Sequence, residues 1–260
     1  MTIRLANHSL KEDIRQYWSD RAQTFDLAFG HRIPAGAEFD AWRDAIAAHL
    51  GHRPLHVLEL ACGTGEVTQV LLSLGHQVTA LDFSESMLAV ARKKHAGKER
   101  NLRFILGDAE NTFLPSKSFD AIVCRHLVWT LTAPATALQE WRRLLKPAGQ
   151  LLIFDGDWSR PRPSGRLAAS LIGLLDRWQG PDLNYDGAMS ERHAGIMSAL
   201  PFGDGLTAER LMPLLVSSGF SELQVTSHAP IARAQRRAAN LRNKLRTFVY
   251  RRFILSAKRA

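Results

Sequence analysis

The chain has 260 residues, 45% apolar and 23% charged, which suits a globular protein of one large α/β domain or two small ones. No run reaches the roughly 18 apolar residues of a membrane span, and Arg4, Lys11, Glu12, Asp13 and Arg15 surround no apolar core, so neither a span nor a secretory signal is expected. The net charge of +9 is gathered at the end: from Leu223 onward there are ten Lys/Arg residues and no acid, read either as solvated surface or as a patch for RNA or an acidic substrate.

In chain order, a helix is predicted over about 8–29, with Leu10, Ile14, Tyr17, Trp18, Phe25 and Leu27 broadly on one side. A second, about 37–50, carries Phe39, Trp42, Ile46 and Leu50 and stops at Gly51. Short apolar runs then predict strands at about 55–60, 77–82, 102–106, 119–124 and 150–155, separated by helices at about 65–74, 84–96 and 134–146. Gly75 and Gly97 stand where helix C-caps belong, and Lys146-Pro147-Ala148-Gly149 reads as a firm stop. Such alternation predicts an α/β fold, a doubly wound, mostly parallel sheet with helices on both faces.

After Asp155 the rhythm breaks for about fifty residues, Gly156 to Leu206. That segment holds an amphipathic pattern at Leu167, Leu171, Leu174, Leu175 and Trp178, then a polar stretch, and reads as a cap over a site. A helix at about 207–218 and two closing strands, about 221–227 and 247–257, complete a seven-stranded sheet, with Arg233 to Arg246 linking the strands. The division expected is one domain, with an N-terminal helical lid (1–52), a core (53–155), a cap (156–206) and a closing unit (207–260).

The chemistry is concentrated in Val57 to Thr68, an apolar run with an embedded acid that breaks into Gly63-Thr64-Gly65. Asp82 follows seventeen residues after Gly65, at the end of the next apolar run, an arrangement suited to a ribose over the carboxyl edge of a parallel sheet. A Gly-x-Gly alone is weak, because dinucleotide enzymes share it. Here Glu66, Val67 and Thr68 stand where their third glycine would be, which argues against an NAD-dependent oxidoreductase. Glu59, upstream of the turn, would repel a phosphate and tolerate an ammonium, and Gly107-Asp108-Ala109-Glu110 supplies a carboxylate for an amino-bearing ring. Cys62 and Cys124 are too few for a disulfide framework or a four-cysteine zinc site; no metal is expected, and the setting expected is the cytoplasm.

On these residues the chain resembles the class I S-adenosylmethionine-dependent methyltransferases, in the small-molecule branch of the ubiquinone and menaquinone methylases. Glu59-Leu60-Ala61-Cys62-Gly63-Thr64-Gly65 is similar to the family's acid-x-Gly-x-Gly-x-Gly, with Ala61 in place of the first glycine. That departure costs little if the position is not at positive φ. The resemblance implies S-adenosylmethionine as cofactor, with Gly63 and Gly65 admitting its methionine part and Asp82 taking both ribose hydroxyls. It further implies Phe83 and Met87 on the adenine, Asp108 beside its amino group and the Ala109 backbone next to it. Tyr17, Trp18 and Arg21 resemble the helix that closes over the cofactor, with the Arg21 guanidinium facing the methionine carboxylate.

Arg125 and His126 follow the fourth strand, where the family places groups beside the transferring methyl, so Arg125 is a cofactor contact and His126 the candidate catalytic base. Trp129, Trp158, Tyr185, His193 and Phe202 are the candidate walls of the acceptor pocket. Nucleic-acid amine methylases carry an Asn/Asp-Pro-Pro-aromatic turn here, and Arg125-His126-Leu127-Val128 does not match it. The expectation is therefore methyl transfer to an N or O nucleophile of a small molecule, anionic or heteroaromatic, in bacterial secondary or cofactor metabolism. An RNA-directed enzyme using the basic end is the alternative, and the apolar cap stripe is compatible with a homodimer.

Overall fold

The computed structural model describes residues 9–179 and 187–260. Helix α1 (Leu10–Arg21) begins where the Ser9 side chain accepts from the Glu12 amide, with Glu12 and Asp13 in the first turn and Arg21 in the last, the charge order that suits a helix dipole. It ends earlier than the periodicity predicts. The Ala22 amide turns back to Ser19, and a short 3-10 turn, Phe25–Leu27, follows, so Phe25 and Leu27 do not continue the α1 stripe. Helix α2 (Ala37–Leu50) stops at Gly51 as expected.

Strands β1 (His56–Leu60), β2 (Gln77–Asp82), β3 (Leu102–Leu106) and β4 (Phe119–Arg125) alternate with helices α3 (Glu66–Ser73) and α4 (Glu85–Lys94), and α5 (Pro134–Leu144) leads into β5 (Leu145–Asp157). The predicted stop at 146–149 is instead part of β5: Phe119 pairs with Leu145, the register then shifts, and Ala148 takes a φ of +57° inside the irregularity. Beyond β5 come α6 (Pro163–Gln179), α7 (Gly187–Ser198), α8 (Ala208–Ser217) and β6 (Phe220–Ser227). The predicted link is two helices, α9 (Ala229–Ala238) and α10 (Leu241–Val249), which delays β7 to Arg251–Arg259.

The seven strands run in the order β3-β2-β1-β4-β5-β7-β6, parallel except for β7, which is antiparallel to both β5 and β6. From β1 the chain winds outward to β3, then returns to β4 on the other side of β1. The carboxyl ends of β1, β2 and β4 thus flank the crevice where a doubly wound sheet binds its ligand. Alternation along the strands supplies two cores. Leu58, Leu60, Ile122 and Ile153 pack with Ile14, Trp141 and Leu211 on one face. Val57, Val123, Leu152 and Phe154 pack with Trp42, Ile46 and Ile231 on the other. Of the predicted apolar stripe, Leu167, Leu171, Leu174 and Trp178 are exposed on α6, and Ala169, Ile172 and Asp176 face a cavity.

The turn after β1 carries a local cost that the sequence does not reveal. Ala61 has a φ of +53°, alongside +55° at Gly63 and +84° at Gly65, so the missing glycine does fall at a left-handed position. An L-residue there costs about 1–2 kcal/mol, part of which glycine would return as unfolded-chain entropy. Ala61→Gly should therefore stabilise the ligand-free protein by roughly 0.5–1 kcal/mol, read as a higher midpoint in urea or heat. An unchanged or lower midpoint would show that the strain is absorbed elsewhere.

Candidate functional site

A cavity of about 720 Å³ opens over the carboxyl ends of the parallel strands, between the sheet and α1. Its floor is set by Asp82. This buried carboxylate accepts from the Gly63 amide at 2.8 Å and the Ser84 amide at 2.9 Å, and burial still lifts its pKa to about 6. Ser84 in turn caps α4 through the Met87 amide and meets the Ser19 hydroxyl at 2.8 Å, which fastens α1 above the floor. Glu59 accepts from the Thr68 hydroxyl at 2.5 Å, and burial raises it to about 8, so at neutral pH it is largely protonated until a cation arrives.

Glycine has different uses at the two positions of the turn. A side chain at Gly63 would meet nothing within 4 Å, so the backbone there is bare toward open space. At Gly65 a Cβ would stand 2.7 Å from His95 Nε2, whose ring also meets the Gly65 carbonyl at 2.9 Å; Gly65 serves helix packing and does not line the cavity. Phe83, Met87 and Ala109 line it, and the Ala109 carbonyl is fixed by the Trp141 indole N–H at 2.8 Å. Asp108 reaches it too, held by Lys11 at 2.6 Å, and the same ammonium touches Glu110 at 2.8 Å. Lys11 is a contact from α1 to the floor for which the sequence gives no signal.

From α1, Trp18 and Arg21 face the cavity, while Tyr17 lies buried behind them and accepts from Arg21 Nη1 at 2.8 Å. Tyr17 thus orients Arg21 and is not a wall. The loop beyond α1 is tied to the glycine turn: the Thr64 hydroxyl donates to Asp26 at 2.6 Å, and the Ile33 amide to Glu66 at 2.6 Å.

At the end of β4, His126 sits at a φ of +56° with its ring 4.6 Å from that of Trp158, edge to face. Burial together with the Arg125 and Arg252 charges keeps the imidazole neutral, well below its ordinary pKa. Asp155, raised to about 7 by burial, anchors the Trp158 indole at 3.0 Å and the Val128 amide at 3.0 Å, fixing both sides of His126. Arg125 donates to the His31 carbonyl at 2.9 Å and to that of Gly30, and lies 4.8 Å over Trp42. Trp129 and His193 line the cavity with ring centres 5.5 Å apart. Phe202 does not; it is buried in the core under Arg210. Tyr185 lies outside the described residues.

Several lining residues had no sequence signal. His31, stacked on Phe25 and lowered to about 4 by burial, comes from an irregular loop. Tyr250 and Arg252 arrive from the junction of α10 and β7. Arg252 belongs to the basic run, yet it turns inward over Trp158 at 5.4 Å. Cys62 and Cys124 are free and buried, and burial pushes both thiols well above their usual pKa, which favours the unreactive thiol form. Among the described residues there is no cluster suited to a metal ion, and no helix is long and apolar enough to cross a membrane.

This donor set fits an adenosyl nucleoside with an amino-acid tail. Two carboxylates, Asp82 and Asp108, can accept from a diol and an amino group, bare backbone at Gly63 admits close approach, and the Arg21 guanidinium matches a carboxylate. Comparison with known proteins agrees. Residues 58–153 match the model of a methyltransferase domain. The demethylmenaquinone methyltransferase of Deinococcus radiodurans is 30% identical over 214 residues, 80% of this chain and 84% of that protein. The protein of that name from Thermus thermophilus is 31% identical over 209 residues, 78% and 91% of the two chains. Among solved structures, Haemonchus contortus phosphoethanolamine N-methyltransferase 2 in complex with S-adenosyl-L-methionine superposes with a TM-score of 0.67 at 16% identity. It covers 99% of this chain, which spans 61% of that longer one, and the likeness is one of fold.

Hydroxyl donors favour the ionised form of Asp82, so the nucleoside should lose affinity where that carboxyl is protonated. With a ligand-free pKa of about 6, S-adenosylhomocysteine should bind with little pH dependence above that value and weaken below it, by up to about tenfold per pH unit. Calorimetric titration between pH 5 and 8 measures this. A flat profile would remove Asp82 as the ribose acceptor.

Proposed function

We propose that this chain, which belongs to the class I S-adenosylmethionine-dependent methyltransferases, methylates a small-molecule acceptor seated between His126, Trp158 and helix α6. The observation that carries the reading is the extent of the cavity. Beside the residues of the glycine turn, the same cavity is lined by His126, Trp158, Ile172 and Tyr250, which we assign as its acceptor lobe, and burial holds the imidazole among them toward its neutral form. The names of the two relatives, which act on demethylmenaquinone, support an aromatic acceptor.

When bound, S-adenosylmethionine supplies a methyl group already activated on a sulfonium. Alignment of the acceptor is then the protein's main task, worth up to roughly 7–11 kcal/mol. In our reading Asp82 accepts from the ribose hydroxyls, Phe83 and Met87 pack on the adenine, Asp108 and the Ala109 backbone face its amino edge, and Arg21 grips the carboxylate with Trp18 closing above. Lys11 must share Asp108 with the adenine. Residues 1–52 act as the lid and α6 with α7 as the cap of one catalytic unit.

His126 takes the proton of an O–H or N–H acceptor. Held neutral, it is in the proton-accepting form throughout the neutral range, and Trp158 restricts its ring. Trp129 and His193 wall the side nearest the lid.

Part of the basic segment is engaged within the protein, which favours the small-molecule reading over the RNA alternative. Arg242 pairs with Asp176 at 3.1 Å, Arg251 with Glu209 at 3.2 Å and Lys258 with Glu222 at 2.6 Å, and Arg236 donates to Thr247 at 3.0 Å.

Release of S-adenosylhomocysteine on addition of a low-molecular-weight cell filtrate, against total RNA, tests the acceptor class. The filtrate should support turnover; turnover with RNA alone would overturn the reading. Once an oxygen acceptor is in hand, His126→Ala should lower kcat by about 10²–10⁴-fold with S-adenosylhomocysteine affinity unchanged. Equal turnover in variant and parent would remove His126 from the proton transfer.

A further inference from the structure

We propose that the acceptor carries a carboxylate and that Arg252 and Arg125 form its seat in the acceptor lobe of the cavity. The inference rests on the small-molecule reading and deepens it by naming the charged group of the substrate.

Two guanidiniums line this lobe, and neither has a carboxylate in direct contact. Arg125 comes from the end of β4 and Arg252 from the start of β7, and both line the cavity beside His126 and Trp158. Neither makes an ion pair among the described residues. Arg125 spends two nitrogens on the carbonyls of Gly30 and His31, and Arg252 donates one to the Gln235 side chain at 3.1 Å. The Nε of each is buried and has no hydrogen-bond partner among the described residues. Glu38 attracts both, with its own Oε1 accepting from Gln235 at 2.9 Å, and Glu66, Glu59 and Asp26 attract Arg125 without touching it. Burial brings both down to about 10, with the Arg125 charge contributing at Arg252.

Two like charges sheltered from water with unsatisfied donors are costly unless an anion completes them. The lobe has the form such an anion needs. Gly156 clears the way for Arg252: a Cβ there would stand 2.7 Å from the Arg251 carbonyl and 3.3 Å from Arg252 Cγ. The Trp158 ring lies under Arg252 and against Tyr250, while Ala169 and Ile172 of α6 supply an apolar wall for the body of the molecule. Since Glu38 already offsets part of the double positive charge, a singly charged carboxylate balances the lobe better than a doubly charged phosphate.

The seat also bears on proton transfer. Arg125 and Arg252 are among the charges that keep His126 from accepting a proton. A carboxylate bound between them screens that repulsion, so the acceptor itself makes His126 a better base. An uncharged analogue would leave the imidazole weak.

The test uses the full chain saturated with S-adenosylhomocysteine, titrated calorimetrically with benzoate, with benzamide as the uncharged probe of equal size, and with phenyl phosphate. Benzoate should bind at least about tenfold more tightly than benzamide. Arg252→Met should bring benzoate down to the benzamide level, Arg252→Lys should restore part of the difference, and both variants should keep the parent's S-adenosylhomocysteine affinity. Equal binding of benzoate and benzamide, no benzoate binding at millimolar concentration, or a preference that survives Arg252→Met would overturn the seat. Phenyl phosphate binding tenfold tighter than benzoate would overturn the carboxylate assignment. S-adenosylhomocysteine is titrated first on each sample, so a failure of the cofactor lobe reads separately from a failure of the anion preference.

Discussion

The hydrogen bond from the Gly63 amide to the Asp82 carboxylate, 2.8 Å long, is the contact on which the site depends. It joins the turn after β1 to the end of β2, so bare backbone and a buried acid face the same space. The other oxygen of Asp82 accepts from Ser84, which starts α4 and reaches Ser19 on α1. One carboxylate thereby sets the position of two strand ends, a helix start and α1. Hydrogen bonds to a charged acceptor contribute about 1.5–3 kcal/mol each, enough to hold an acid in a place where burial alone would neutralise it. That balance leaves Asp82 with a pKa of about 6, close to the range in which an enzyme works.

Charge is distributed unequally along the cavity. Acids gather at the ends of β1, β2 and β3, where Glu59, Asp82 and Asp108 stand, and arginines stand at the end of β4 and the start of β7. In the proposed arrangement a sulfonium and an anionic acceptor are each drawn toward the opposite sign and meet beside His126. The inward turn of Arg252 changes the meaning of the basic C-terminal run. Part of it is tied to acids on the protein's own surface, part of it lines the site, and its net charge is therefore a poor guide to a polyanionic partner.

What was legible in the sequence is what short-range pattern encodes. The apolar runs ending in Glu59-Leu60, Asp82 and Arg125 announce strands, and residues at strand ends of a parallel sheet converge by topology, so Gly63, Asp82, Asp108, His126 and Trp158 were all nameable in advance. Positions set by long-range pairing were not. Arg252 and Tyr250 reach the cavity because β7 inserts antiparallel between β5 and β6, a register that no local pattern fixes. Tyr17 lies one step around α1 from Trp18, and that step separates a buried residue from a lining one. The left-handed conformation of Ala61 and the continuation of α10 through 247–249, where a strand is expected, are likewise tertiary outcomes.

The most direct test of the account is the affinity of S-adenosylhomocysteine for Asp82→Ala beside the parent at neutral pH, with Ala61→Gly as a folded control bearing a change in the same turn. The account predicts that the parent and Ala61→Gly bind alike and that Asp82→Ala weakens binding by about thirtyfold or more, the loss expected for hydrogen bonds to a buried charged group. Binding of equal strength in Asp82→Ala, or none in the parent at millimolar ligand, would contradict it.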